Sequence, residues 1–476
     1  MPTIRGAFLA LSMLTAFACE VSRGDDVPKS KLAGTWEGKL TIGPASLRLV
    51  VNVTQGKDGA LSSTLDSPDQ GAKGIPVAST TLEGKTFKLD VAVIKGEFSG
   101  TLDDAGTKAE GTWTQGPNKL PLTLAKVEKP TEIKRPQTPK APFPYKAIEV
   151  SYPGGEKVTI AGTLTVPEGK GPFPAVLMIT GSGAQDRDET IFGHKPFWVL
   201  ADDLSRAGVA VLRVDDRGVG GSTGDPKAAT TKDYIDDVAA GVAFLKGRPE
   251  IDAAHIGLIG HSEGGIIAPA VAARTEDVDF IVLLAGTGMT GREILIRQGK
   301  LIGEAGGRSA EEIARNTTVQ EAMFQILAKQ SEDEQIRMSL ADLLTKEHGK
   351  LSEAERKAVG EVDAFIKAQS DAVLSPWMRY FIAYDPLPTL SKVTCPVLAI
   401  SGEKDLQVPP ENLEAIATAL KAGGNMQVTT RLFPGLNHLF QPAETGSPSE
   451  YGSIEQTISP AVLETIRNWV KRQAGR

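Results

Sequence analysis

The sequence predicts a small all-β domain followed by a doubly wound, mostly parallel α/β sheet that carries a helical insertion. Three observations lead there. Apolar residues recur with period two between about 31 and 127, and strand-like apolar runs alternate with helical spacing from about 146. The Gly-x-Ser-x-Gly pentapeptide at 260–264 sits directly between a strand pattern and a helix pattern. At 476 residues the chain is too long for one ordinary domain, and its 41% hydrophobic content suits a large core. The formal net charge is −7, with lysines and arginines scattered, which argues against nucleic acid as a partner.

Arg5 followed by the apolar stretch Gly6 to Phe17 has the charge and length of a signal peptide over residues 1–18. Ala16-Phe17-Ala18 supplies a small-x-small cleavage site, and the stretch is too short for a permanent membrane helix. Export is therefore expected, to the periplasm, the medium or the cell envelope. Cys19 directly after that site resembles a lipoprotein acceptor, so a lipid anchor there is a further expectation, although Phe17 is bulky for the motif. Cys395 is the other cysteine, and two thiols cannot form a disulfide framework.

In the β-domain, residues 31–127, Leu47, Leu49, Val51 and Val53 alternate with Arg48, Asn52 and Thr54. Phe87, Leu89, Val91 and Val93 repeat the alternation, as do Leu120, Leu122 and Leu124. Turn sequences such as Lys57-Asp58-Gly59 separate these runs. Gly34-Thr35-Trp36 returns as Gly111-Thr112-Trp113, which suits opposing strands of a small barrel or sandwich. Residues 128–145, with Pro130, Pro136, Pro139, Pro142 and Pro144 among charges, read as an extended linker.

From 146 to 476 the pattern changes. Ala175–Ile179, Val209–Val214, Phe280–Leu284 and Val397–Ile400 are buried-strand runs. Phe197, Leu200, Leu204 and Ala207 keep helical spacing, as do Ile235, Val238, Val242 and Leu245. A final helix opens at Ser459-Pro460 and carries Val462, Ile466, Trp469 and Val470 on one face. Between about 290 and 388 the alternation gives way to charged helical sequence, an insertion placed to form a lid, whose charge runs read as solvated faces.

The chemistry starts at Gly260-His261-Ser262-Glu263-Gly264. A sharp strand-to-helix turn would hold Ser262 clear of the backbone and aim the Glu263 N–H at a developing oxyanion. A serine nucleophile needs a base, and five histidines are available. His261 sits in the turn, His255 at the wrong strand end, His194 before a helix and His348 in the lid, which leaves His438 after the strand pattern Val428 to Phe433. The orienting acid should follow Val397–Ile400. Asp405 fits, with Glu403 as its competitor. The second oxyanion donor is assigned to the Ser182 N–H in Thr180-Gly181-Ser182-Gly183, with Gly183 as the alternative. In the lid, Trp377, Tyr380 and Phe381 are candidates for lining a substrate pocket, against plain core packing. Asp186, Arg187, Asp188 and Glu189 read as a salt-bridged loop. With no His or Cys cluster and no dinucleotide fingerprint around Gly218-Val219-Gly220-Gly221, neither a metal nor a cofactor is expected.

Taken together, Gly181 to Glu189, Asp216-Arg217-Gly218-Val219-Gly220, Gly260 to Gly265, Ser375-Pro376-Trp377 and Asp385-Pro386 resemble a bacterial subfamily of α/β-hydrolases. Its members are EstD-like carboxylesterases with an extra N-terminal domain, and the likeness covers residues 146 to 476. The resemblance implies an α/β-hydrolase fold, a Ser262–Asp405–His438 triad and small-molecule esters as substrates. Thr180 stands where many such esterases have a His. The alternatives are a peptidase or an acyltransferase using the same triad, and a catalytically idle protein binding a glycan or lipid through its β-domain.

Overall fold

The computed structural model describes residues 30–42, 45–70, 72–116, 118–131, 134–155, 157–330, 332–359 and 361–475. The signal-peptide segment 1–18 and Cys19 lie outside the described residues.

Among the described residues, nine antiparallel strands build the first sheet. From one edge to the other they are Ala72–Val77, Leu61–Ser67, Ala45–Gln55, Gly34–Ile42, Asn118–Val127, Lys108–Gln115, Gly96–Leu102, Thr86–Val91 and Ser79–Glu83. The ends curl together until the Thr80 hydroxyl donates to Ser63 Oγ at 2.7 Å, giving a nearly closed barrel. Strict alternation makes this possible: along Gly96–Leu102 every second residue is buried. The two Gly-Thr-Trp copies lie on strands that flank Asn118–Val127. Their indoles, Trp36 and Trp113, fill the interior with Phe87 and Phe98, all at most 2% exposed. Gly111 is required by contact, since a Cβ there would stand 2.2 Å from the Ser99 carbonyl oxygen.

The second sheet has eight strands among the described residues. Their order is Tyr145–Pro153, Thr159–Pro167, Ala210–Val214, Phe173–Ile179, Ile251–His261, Phe280–Leu284, Val397–Gly402 and Val428–Phe433. The first two strands run antiparallel to their neighbours, and pairing is parallel from Ala210–Val214 onward. Helices Thr231–Lys246, Gly264–Ala272 and Asn412–Ala422 cover one face, while Pro196–Arg206 and Pro460–Gln473 cover the other. In the last helix Val462, Ile466, Trp469 and Val470 are at most 4% exposed. Each contributes roughly 1.5–3 kcal/mol by leaving water.

Helices from Gly291–Ala305 to Leu387–Leu390 form the insertion between Phe280–Leu284 and Val397–Gly402, with a small core around Ile336, Leu340 and Leu344. Part of its charge serves to start helices. Glu312 takes the Ser309 N–H at 2.8 Å while Ser309 Oγ takes the Glu312 N–H at 3.2 Å. Thr290 and Glu293 form the same capping box.

The proline-rich segment is fastened to the second sheet's loops. Arg135 donates to the carbonyls of Phe192 at 2.7 Å, Ile454 at 2.8 Å and Gly452 at 2.9 Å. Gln137 accepts the Thr457 and Ile458 N–H groups and donates to the Ile458 carbonyl. Desolvation by these loops lowers the Arg135 guanidinium to about 10. The segment is a strap on the loop that contains Tyr451.

Candidate active site

Strand Ile251–His261 enters helix Gly264–Ala272 through Ser262, whose φ is +53°. That left-handed conformation costs a non-glycine residue of order 1 kcal/mol. The glycines on either side are dictated by close packing. A Cβ on Gly260 would lie 2.0 Å from the Gly264 carbonyl oxygen, and one on Gly264 would lie 2.4 Å from that of Ile179. The Ser262 N–H is held by the Leu284 carbonyl at 2.9 Å.

His438 and Asp405 come together from two loops. Nδ1 of His438 lies 2.8 Å from Oδ2 of Asp405, and both side chains are buried. Oδ1 of Asp405 takes the backbone N–H groups of Gln407 at 2.9 Å and Val408 at 2.8 Å, so the carboxylate is fixed at both ends. A carboxylate only accepts, so Nδ1 carries hydrogen and Nε2 is the nitrogen left facing away from Asp405. Asn437, fully buried, staples this loop by accepting the N–H groups of Leu439 and Gln441. Glu403, the competing acid, instead accepts the Gly435 N–H at 2.9 Å. The His438 ring lies 4.7 Å from that of His261, the residue preceding the serine. Among the described residues Ser262 Oγ has no hydrogen-bond partner, so the contact seen is the one between Asp405 and His438.

Loop Thr180–Gly183 crosses over the serine: a Cβ built on Gly181 would be 3.2 Å from Ser262 Cβ. Among the described residues neither the Ser182 N–H nor the Glu263 N–H has a protein acceptor, as an oxyanion site requires. The Glu263 side chain has a role the sequence did not indicate. Burial raises its carboxyl above the usual range. Its oxygens take the Thr231 hydroxyl at 2.6 Å and the Trp377 indole N–H, 2.9 Å from each. The insertion is thereby pinned to the turn that carries the serine. Phe381 is buried and stacks on Trp377 at 5.0 Å. Tyr380 stacks on Tyr384 at 5.9 Å near Lys232 and Arg274, and the described contacts do not bring it to Ser262.

The acidic loop divides. Arg187 bridges Asp215 at 2.7 Å and Glu149 at 2.6 Å, and Asp188 pairs with Lys195 and Arg213. Glu189 points elsewhere, to His261 and the Gly181 N–H. Nothing in the spacing of the sequence marks that contact. Among the described residues no group of His, Cys, Asp or Glu could hold a metal ion, and no helix is long and apolar enough to cross a membrane.

Beneath the loop, Asp216 takes the Thr180 hydroxyl at 2.9 Å and the Gln185 N–H at 2.9 Å. Desolvation pushes this carboxyl up to about 8, helped by Glu189 and Glu263 and opposed by those hydrogen bonds. Between its unfolded value near 3.8 and that folded value, the folded state binds the extra proton. Stability therefore falls as pH rises through that window. Asp216→Asn keeps an acceptor and removes the charge. It should melt several degrees above wild type at about pH 9 and level with it at about pH 4. A difference independent of pH would exclude this account.

A family described as X-Pro dipeptidyl-peptidase (S15 family) matches residues 154–435. Esterase EstD of Thermotoga maritima is 28% identical over 315 residues. That match covers 65% of this chain and 65% of the relative, so the chain spans a little less than two thirds of its length. Esterase Pf2001 of Pyrococcus furiosus aligns at TM-score 0.40 and 17% identity, over 69% of this chain and 93% of its own. Protein PA2218 of Pseudomonas aeruginosa aligns at TM-score 0.44 and 17% identity, over 73% of this chain and 100% of its own.

Proposed function

Because the chain belongs to the X-Pro dipeptidyl-peptidase (S15) family, we propose that it is a serine hydrolase that cleaves carboxylic esters through an acyl-enzyme on Ser262. The observation that carries this reading is the buried Asp405–His438 pair, its imidazole 4.7 Å from the ring of His261, the residue before a serine held in a left-handed turn. Ser262 Oγ attacks the acyl carbon as His438 Nε2 takes its proton, and Asp405 stabilises the imidazolium. The N–H groups of Ser182 and Glu263 receive the oxyanion. His438 then protonates the leaving alcohol, and a water deprotonated by the same imidazole releases the acid. Similarity to Esterase EstD supports an ester as the substrate. Trp377 and Phe381 border the acyl site in this reading, with Tyr380 further out. No cofactor takes part. The protein is exported, with Cys19 available for lipid attachment.

The family description supports a second reading, in which the same residues release X-Pro dipeptides. Parallel assays separate the two: p-nitrophenyl esters from acetate to palmitate, and X-Pro p-nitroanilides. Turnover of the esters with a chain-length optimum is the expected result. Turnover confined to the anilides would replace esterase by peptidase.

A further inference from the structure

We propose that Glu189 and His261 are positioning residues that hold the oxyanion loop and the loop of the general base in fixed relation on either side of Ser262. The proposal rests on the serine-hydrolase reading above.

The contacts determine where the protons are. Nε2 of His261 lies 3.1 Å from the His438 carbonyl oxygen, which only accepts, so Nε2 carries hydrogen. Nδ1 lies 2.8 Å from Oε1 of Glu189. The same oxygen takes the Gly181 N–H at 2.8 Å. With Glu189 ionised, Nδ1 also carries hydrogen, and His261 is an imidazolium that donates in both directions. Burial alone would depress its pKa. The Glu189 carboxylate outweighs that penalty, and the net shift is upward. Both residues are at most 6% exposed, and Pro196, Phe197, Leu439 and Phe440 wall the pair. In such a low-dielectric place a paired charge holds its geometry tightly, and an unpaired one is costly.

The pair reaches both halves of the machinery. On one side Glu189 fixes the Gly181 N–H, which sets the following peptide and so the direction of the Ser182 N–H. On the other side His261 grips the main chain of His438 itself. Glu189 also has φ +52°, an unfavoured conformation for a glutamate, retained where it brings the carboxylate to both partners. His438 already has its own carboxylate in Asp405, so this second pair supplies placement and takes no proton from substrate.

Glu189→Gln is the direct test. With an amide whose carbonyl keeps the Gly181 N–H, neutral His261 has one ring proton for two acceptors, and with its NH2 turned to Nδ1 the Gly181 N–H loses its acceptor, so one link is lost either way. The expected result is a fall in kcat of about 100-fold with KM within about threefold, since misplacing reacting groups slows chemistry more than binding. His261→Gln should do the same, and the double variant should be no slower than either single one, because both break one bridge. Proton NMR of wild type should show downfield ring N–H signals from both His438 and His261, and Glu189→Gln should remove only the latter. Should Glu189→Gln fail to fold, His261→Gln decides by the same kinetics. Single variants with kcat within threefold of wild type, additive losses, or an absent His261 signal in wild type would overturn the proposal. Fluorophosphonate labelling of wild type at Ser262 is measured alongside: without it the hydrolase reading fails, while the NMR signal still tests the pair.

Discussion

Ser262→Ala is expected to lower hydrolysis of p-nitrophenyl esters by about a million-fold, to the level left by binding and the oxyanion donors. The size of the loss follows from the chemistry: without Oγ no acyl-enzyme forms, and the remaining groups only polarise a carbonyl that water must attack unaided. Ser262→Gly should be equally inactive and carries a second readout. Glycine adopts φ near +53° without strain, so that variant should melt above wild type, with about 1 kcal/mol of strain relieved. An inactive protein that is more stable is the pattern of a strained nucleophile. Equal turnover in wild type and Ser262→Ala would remove the serine from the mechanism.

Asp405→Asn should lower kcat by about 10,000-fold with little loss of fold. The direction comes from the two backbone donors. The N–H groups of Gln407 and Val408 face one carboxylate oxygen, so an asparagine must turn its carbonyl toward them. Its NH2 then faces His438 Nδ1, which becomes the acceptor and forces the proton onto Nε2. A base protonated at its reactive nitrogen cannot take the proton of Ser262. Glu403→Gln provides the contrast, since among the described residues the Glu403 carboxylate accepts only the Gly435 N–H, and its kcat should stay within about threefold of wild type. The reverse ranking of the two variants would transfer the role of the orienting acid to Glu403.

Much of the architecture was legible because periodicity is a local signal. Alternation along Phe87–Val91 and Leu120–Leu124 marked half-buried strands, although Val93, expected to continue the first, is 70% exposed in a short 3-10 turn, and the spacing of Val462, Ile466 and Trp469 marked a helix face. The elbow was legible for a related reason. Gly260 and Gly264 stand where a Cβ would strike backbone, and that demand falls within five consecutive residues. His438 could be reached by elimination among five histidines, and the structure puts it on Asp405.

Three features were not legible. The strap made by Arg135 and Gln137 looks in sequence like any proline-rich spacer, because its partners lie some 320 residues further on. It bears on the site through Tyr451, whose hydroxyl accepts from Gln407, the residue that donates to Asp405. Glu263 was expected to act through its N–H alone, yet its side chain receives Trp377 from 114 positions away. Glu189, grouped with its neighbours as a salt-bridged loop, turns inward to His261.

The sequence by itself determined the periodic elements, their alternation and the serine turn, because hydrophobic spacing and Cβ collisions act between residues close along the chain. Tertiary structure alone decided which carboxylates meet which histidines, and how the barrel's strap and the helical insertion are fastened around the serine. Those contacts are single hydrogen bonds between distant segments. Burial sets their strength, and no local pattern encodes burial at that resolution.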